Sequence, residues 1–120
     1  MPDTTRRTFY PLVPYSDPVK ALDWLQRAFG FEPGEIAKDE NGTIVHAEMG
    51  FDTGIIMFGK PDAPRAQVYV AIDDPDAHHD RAKAAGAEII SELADQDYGS
   101  RDYAAKDLEG NIWYFGTYRS

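Results

Sequence analysis

Val70-Ala71-Ile72-Asp73-Asp74-Pro75 repeats, in pattern and in three identities, the stretch Val13-Pro14-Tyr15-Ser16-Asp17-Pro18 that lies 57 residues earlier. Each copy is a β-rich run, then a side chain able to cap a helix, then proline in the helix's first turn. The offset carries outward in both directions. Asp23 recurs as Asp80, Ala28 as Ala85, Glu35 as Glu92, Ala37 as Ala94 and Gly42 as Gly99. Ala47 recurs as Ala104, Ile55 as Ile112, and Phe58-Gly59 as Phe115-Gly116. The matches keep their order in one gapless overlay, at roughly three times the chance level for ordinary residue frequencies. A unit of about half the chain, used twice, is the reading, with repeats over about 8–60 and 65–118 of a single domain spanning 1–120.

Each half reads as strand, helix, then three strands. In the first, Phe9–Tyr15 is a strand, Ser16 or Asp17 caps a helix, and Leu22, Leu25 and Phe29 form its apolar stripe before Gly30 ends it. Phe31–Ala37 is the next strand, Asn41-Gly42 signals a hairpin, and Thr43–Phe51 and Gly54–Phe58 complete the unit. Lys60–Arg65, with two prolines, links the halves. In the second, Gln67–Ile72 precedes a helix opened by Asp73-Asp74-Pro75 and ended by Gly86. The strands Ala87–Glu92, Arg101–Lys106 and Asn111–Thr117 follow, and the loop Leu93–Gly99 has no clear pattern.

Composition narrows the setting. A formal charge of −9 argues against nucleic acid as a partner, since no basic stripe could offset phosphate repulsion. The same acidity would attract cationic small molecules, although a solubilising surface is the plainer reading. Cysteine is absent, which removes disulfides, thiolate metal sites and cysteine nucleophiles. No apolar run approaches the ~20 residues needed to span a bilayer, and the polar start Met1–Arg7 does not read as a signal peptide. A cytoplasmic protein with no membrane partner is the expectation.

A βαβββ unit used twice, the Asp107-Leu108-Glu109-Gly110-Asn111 turn before the last strand, and the helix end Lys83-Ala84-Ala85-Gly86-Ala87-Glu88-Ile89 resemble the vicinal oxygen chelate superfamily. That group includes glyoxalase I, extradiol dioxygenases, fosfomycin-resistance enzymes and bleomycin-binding proteins. The resemblance covers nearly the whole chain and is most specific from Tyr98 to Trp113. It implies an α+β fold, the glyoxalase/bleomycin-resistance fold, in which two tandem βαβββ units curl a cupped mixed sheet around a ligand.

Alternation along the strands sorts residues by face. Val68, Val70, Ile72, Trp113 and Phe115 belong against the helices. Gln67, Tyr69, Ala71, Ile112, Tyr114 and Gly116 face the cup, and the offset adds Tyr10, Leu12, Pro14, Ile55 and Met57. Metal-dependent members of the family place His, Gln or Glu at four positions that align here with Tyr10, Met57, Gln67 and Tyr114. A thioether and neutral phenols do not hold a divalent cation, and one amide will not do so alone. The expectation is therefore no metal and no cofactor.

Other residues compete for a role. His46 and Glu48, at i and i+2, share the cup face and could form an acid–base pair, though a solvated rim is the plainer account. His78 and His79 are adjacent on a helix, diverge by about 100°, and suit packing or capping better than a metal. By the offset, Tyr103 is the counterpart of His46, so Tyr103 and Arg101 are expected on the cup face. Tyr10, Tyr69, Tyr103 and Tyr114 would then wall a pocket floored by Met57, with Leu12 and Gln67 beside it and Arg101 as its fixed charge. Tyrosines that fill the cup completely are the alternative.

Two functions from different classes fit. The first is a metal-independent binder of an antibiotic-like small molecule, similar to the bleomycin-resistance branch, whose functional unit is a homodimer with clefts between chains. The second is a lyase or isomerase of the glyoxalase type that uses His46 and Glu48 or a metal at unfamiliar positions. An interaction module with a closed cup is a third.

Overall fold

Asp17 and Asp74, each followed by proline, open the two helices in the same way. Asp17 accepts a hydrogen bond from the Lys20 amide and Asp74 from the Ala77 amide, both at 3.1 Å, which satisfies donors that a helix start leaves free. Ser16, the alternative cap, instead donates its amide and hydroxyl to Glu109. The computed structural model describes residues 7–120, so most of the polar stretch Met1–Arg7 lies outside the described residues.

The chain runs β1 (Leu12–Pro14), α1 (Pro18–Phe29), β2 (Glu32–Lys38), β3 (Ile44–Phe51), β4 (Gly54–Gly59), β5 (Gln67–Ala71), α2 (Pro75–Ala84), β6 (Glu88–Asp95), β7 (Arg101–Lys106) and β8 (Ile112–Gly116). This is an α+β fold of two βαβββ units. Each unit builds one four-stranded mixed sheet, ordered β1-β4-β3-β2 and β5-β8-β7-β6. The first strand of each unit runs parallel to its last, and the other pairs are antiparallel.

Two strands depart from the sequence reading by more than one residue. β1 is three residues, not Phe9–Tyr15, because Pro11 and Pro14 have no amide to give a ladder. β6 extends to Asp95 and absorbs part of the loop that had no pattern. The remaining turn closes with Gly99 N donating to Gln96 O at 3.0 Å, matching Gly42 N to Asp39 O at 3.0 Å in the first unit.

One apolar cluster serves both units. Phe29, the last residue of α1, and Phe31, just before β2, pack on Trp113 and Phe115 of β8, with Phe29–Phe115 ring centroids 4.8 Å apart and Phe31–Trp113 5.1 Å. Rings in such tilted and edge-on contacts add to the area they bury. The helices also cap one another's ends. Arg81 of α2 donates to the Arg27 and Gln26 carbonyls, and Trp24 of α1 donates to the Ala85 carbonyl, so carbonyls orphaned by one helix end are satisfied by the other unit.

The Asp107–Asn111 turn is a second junction. Buried Asp107 accepts from the Tyr15 hydroxyl (2.5 Å), the Trp113 indole (3.0 Å) and the Asn111 amide (3.0 Å). Asn111 donates to Pro14 O and accepts from Ala66 N. The motif that marks the family in the sequence thus ties β1 of one unit to β8 of the other. Burial, and then the neighbouring Asp107 charge, push the Tyr15 phenol pKa well above its ordinary value, so Tyr15 stays a donor.

Candidate functional site

Burial divides each sheet into a core face and an open face. On the core face lie Val13, Ala47, Met49, Ile56, Tyr103, Ala105, Trp113 and Phe115, all buried. Leu12 pairs with Met57, and Met57 with Glu48, which places these three with His46 on the open face of the first sheet. Tyr69 pairs with Tyr114, and Tyr114 with Ala104, on the open face of the second, together with Gln67 and Asp102. Tyr10 precedes β1 and is exposed, while Pro14, also read onto this face, is fully buried.

Tyr103 and Arg101 are corrected: both lie on the helix side. Tyr103 pairs with Phe115, is 1% exposed, and donates to His78 Nδ1 at 2.6 Å. Burial alone raises its phenol pKa. Arg101 reaches Asp76 of α2 at 2.7 Å and Asp95 at 3.3 Å, and its hydrogen bond holds the Asp76 carboxyl below its ordinary pKa.

The cause is one residue. In the first unit Lys38 pairs with Ile44 but Ala37 with His46, so Val45 is an extra residue, a β-bulge. In the second unit Asp95 pairs with Arg101 and Ala94 with Asp102, with no such insertion. Ala94 is the repeat mate of Ala37, so Asp102, not Tyr103, matches His46. Since side chains alternate along a strand, the slip of one moves every residue of β7 to the other face.

Three groups of polar side chains occupy the open face. His46 Nε2 and Glu48 Oε2 are 2.8 Å apart and half-buried, a pair able to hold or pass one proton. The Tyr114 hydroxyl donates to Gln67 Oε1 at 3.2 Å. Asp102 accepts three hydroxyls: Tyr69 at 3.1 Å and Ser100 at 2.7 Å on Oδ1, and Tyr98 at 2.7 Å on Oδ2. The Tyr69 phenol pKa is raised, chiefly by burial, and that of Tyr98 by its hydrogen bond to Asp102. Asp102, Tyr98 and Tyr118 were missed in the sequence; an offset of 56 along β7 would have found the first.

Gly116 belongs to this last group through close approach. A Cβ there would overlap Asp102 Oδ1 and the Tyr69 hydroxyl, so only glycine lets the carboxylate lean over the strand.

The described residues do not fit the family's metal. Tyr10, Met57, Gln67 and Tyr114 offer one ligand atom of the family's type, the Gln67 amide oxygen, which accepts the Tyr114 hydroxyl, and one neutral amide does not hold a divalent ion alone. No group of three His, Asp or Glu side chains among the described residues could hold an ion. His78 donates Nε2–H to Phe29 O at 2.9 Å and His79 contacts Asp80 and Glu92, so both imidazoles are spent on packing.

Two hollows flank the open face without coinciding with it. A groove of about 330 Å³ runs between the sheets, lined by Phe31, Phe51, Ile55, Val70 and Trp113, with Tyr69 the one predicted binding residue on its wall. Its size lies in the range of small-molecule sites. A second, of about 440 Å³, lies along β2 and β3 and includes Glu48.

The sequence model of the glyoxalase/bleomycin resistance protein/dioxygenase superfamily matches residues 8–115. The chain belongs to this superfamily. It is similar to TioX from Micromonospora sp. ML1, at 36% identity over 91% of this chain and 98% of that one, with a TM-score of 0.76. A glyoxalase-related enzyme from Clostridium phytofermentans shares the superfamily fold at 20% identity and a TM-score of 0.76, covering 93% and 95% of the two chains. A superfamily member from Sphaerobacter thermophilus does so at 16% and 0.74, covering 92% and 97%. No curated protein matches. No helix among the described residues is long and apolar enough to cross a membrane.

Proposed function

We propose that this superfamily member is a small-molecule binder that works without a metal, in the cytoplasm, by holding an antibiotic-like aromatic compound. Its binding surface is the open face bearing Tyr10, Leu12, Met57, Gln67, Tyr69 and Tyr114. The observation that carries this reading is the Tyr114–Gln67 hydrogen bond at 3.2 Å. It joins two positions where metal-dependent relatives carry ligands, and it engages one of the two acceptor sites of the Gln67 oxygen, the one ligand atom of the family's type there. What remains is apolar area with hydroxyl tips, which suits a flat ligand oriented by a few hydrogen bonds. Arg101 and Tyr103 act in this reading as supports beneath the sheet.

The active unit is a homodimer. Among the described residues β1 bonds to β4 alone and β5 to β8 alone, which leaves each sheet an open edge there at which a second copy can complete a cleft. Sedimentation of a monomer at micromolar concentration would count against this.

The reading is tested by titrating chelator-treated, isotope-labelled protein with bleomycin and with quinoline. Amide shifts at Leu12, Met57, Gln67, Tyr69 and Tyr114 are expected. Shifts absent from this face would overturn it. A second reading, an isomerase of the glyoxalase type, is favoured by the 2.8 Å His46–Glu48 contact alone. It requires turnover of a hemithioacetal that His46→Ala abolishes.

A further inference from the structure

We propose that Asp102, with Tyr69, Tyr98 and Tyr118 around it, is a subsite for the positively charged nitrogen of an organic ligand. The proposal rests on the open face being the ligand face and names the chemistry one end of it selects. Asp102 accepts three hydroxyl bonds, from Tyr69, Tyr98 and Ser100. None of these partners is a Lys, Arg or His, and among the described residues Asp102 has no ion pair. Neutral donors orient a carboxylate but leave its charge uncompensated, whereas Asp76 and Asp95 on the helix side share Arg101. The carboxylate's position also depends on the absent side chain of Gly116.

The surroundings select an organic cation. Tyr118 stands nearly perpendicular to both Tyr69 (centroids 6.3 Å, 82°) and Tyr98 (6.2 Å, 82°), and its amide donates to the Tyr69 hydroxyl at 3.2 Å. All three rings are exposed, at 40% for Tyr69, 65% for Tyr98 and 53% for Tyr118. Three exposed tyrosines around one carboxylate give apolar contact, ring faces that attract cations, and phenol oxygens that can accept from an ammonium. A strongly hydrated metal ion would gain little from the rings, while an ammonium on an aromatic body gains from each.

The test uses the full chain, labelled with nitrogen-15, titrated with benzylammonium and with its neutral near-isostere benzyl alcohol. Benzylammonium should shift the amides of Asp102, Gly116 and Tyr118 and bind at least about fivefold more tightly than benzyl alcohol. Asp102→Asn, which keeps one acceptor oxygen and turns the other into a donor amide, should remove that preference, and Tyr118→Leu, at an exposed ring, should weaken the cation alone. If both probes shift Gln67 and Tyr114 equally and leave Asp102 and Tyr118 unmoved, the subsite is wrong and the binding face stands. If neither probe shifts any open-face amide, both readings fall. A preference that survives Asp102→Asn with an unchanged amide spectrum also overturns the subsite.

Discussion

His78 of α2 donates its Nε2 proton to the carbonyl of Phe29, the last residue of α1, at 2.9 Å. A carbonyl can only accept, so Nε2 carries a proton, and because burial favours the uncharged ring Nδ1 is left bare to receive the Tyr103 hydroxyl. One imidazole therefore joins the end of one repeat to the sheet of the other, in its neutral form. Burial holds the His78 pKa below its ordinary 6.5, against a smaller opposing effect of the Phe29 carbonyl, with Arg81 adding to the lowering.

This sets a pH dependence. The unfolded chain gains the His78 proton near 6.5, before the folded one does. The contribution is full above that pH and is lost as pH falls through 6.5 toward the folded pKa. We expect Tm to fall in this window and His78→Asn to flatten that part of the profile. Direct titration of His78 by NMR with a pKa above 6.5 would contradict the account.

Asp107 should be among the costliest polar residues to remove. Asp107→Ala leaves the Tyr15 hydroxyl and the Trp113 indole without their acceptor, at about 3 kcal/mol or more. Tyr15→Phe removes one bond and should cost about 1–2 kcal/mol. Denaturant unfolding measures both, and equal losses would mean that the Trp113 bond contributes nothing.

Two glycines should separate sterics from backbone strain. Gly116→Ala drives a methyl into Asp102 and Tyr69 and should cost about 1–3 kcal/mol. Gly42→Ala meets open space at φ +81 and should cost about 1 kcal/mol through its backbone alone. Thermal unfolding of the two variants decides, and pairing Gly116→Ala with Asp102→Ala should recover part of the first loss.

Removing the Tyr103 hydroxyl, the donor to His78, tests the inverted face. Tyr103→Phe should weaken the helix–sheet junction by about 1 kcal/mol and leave aromatic-ligand affinity unchanged. Loss of affinity with unchanged Tm would return Tyr103 to the binding face.

The repeat made the fold legible because its identities sit where backbone chemistry is demanding. Asp17 and Asp74 cap helices, and Gly42 and Gly99 take positive φ, so their spacing survives divergence. Within strands the overlay carried less. Val45 bulges from β3, and the innermost backbone pair Asp107–Asn111 of the β7–β8 hairpin encloses three residues where Phe51–Gly54 encloses two, so the offset is 56 along β7 and 57 on either side. Ala47 and Ala104, identical in sequence, therefore lie on opposite faces. An insertion and its compensation leave the endpoints aligned, which is why Tyr103 and Arg101 were misplaced while Met57 and Tyr114 were not. Asp102 was invisible for the same reason.

The most direct test is thermal unfolding of chelator-stripped protein, alone and with nickel, zinc, manganese or iron(II), beside the metal content of the unstripped protein. A ligand at a hundred times its Kd adds about 2.7 kcal/mol, several degrees in Tm for a chain of this size. The account predicts no stoichiometric metal and no shift with any ion. A metal bound one to one that raises Tm would contradict the metal-independent reading of Tyr10, Met57, Gln67 and Tyr114.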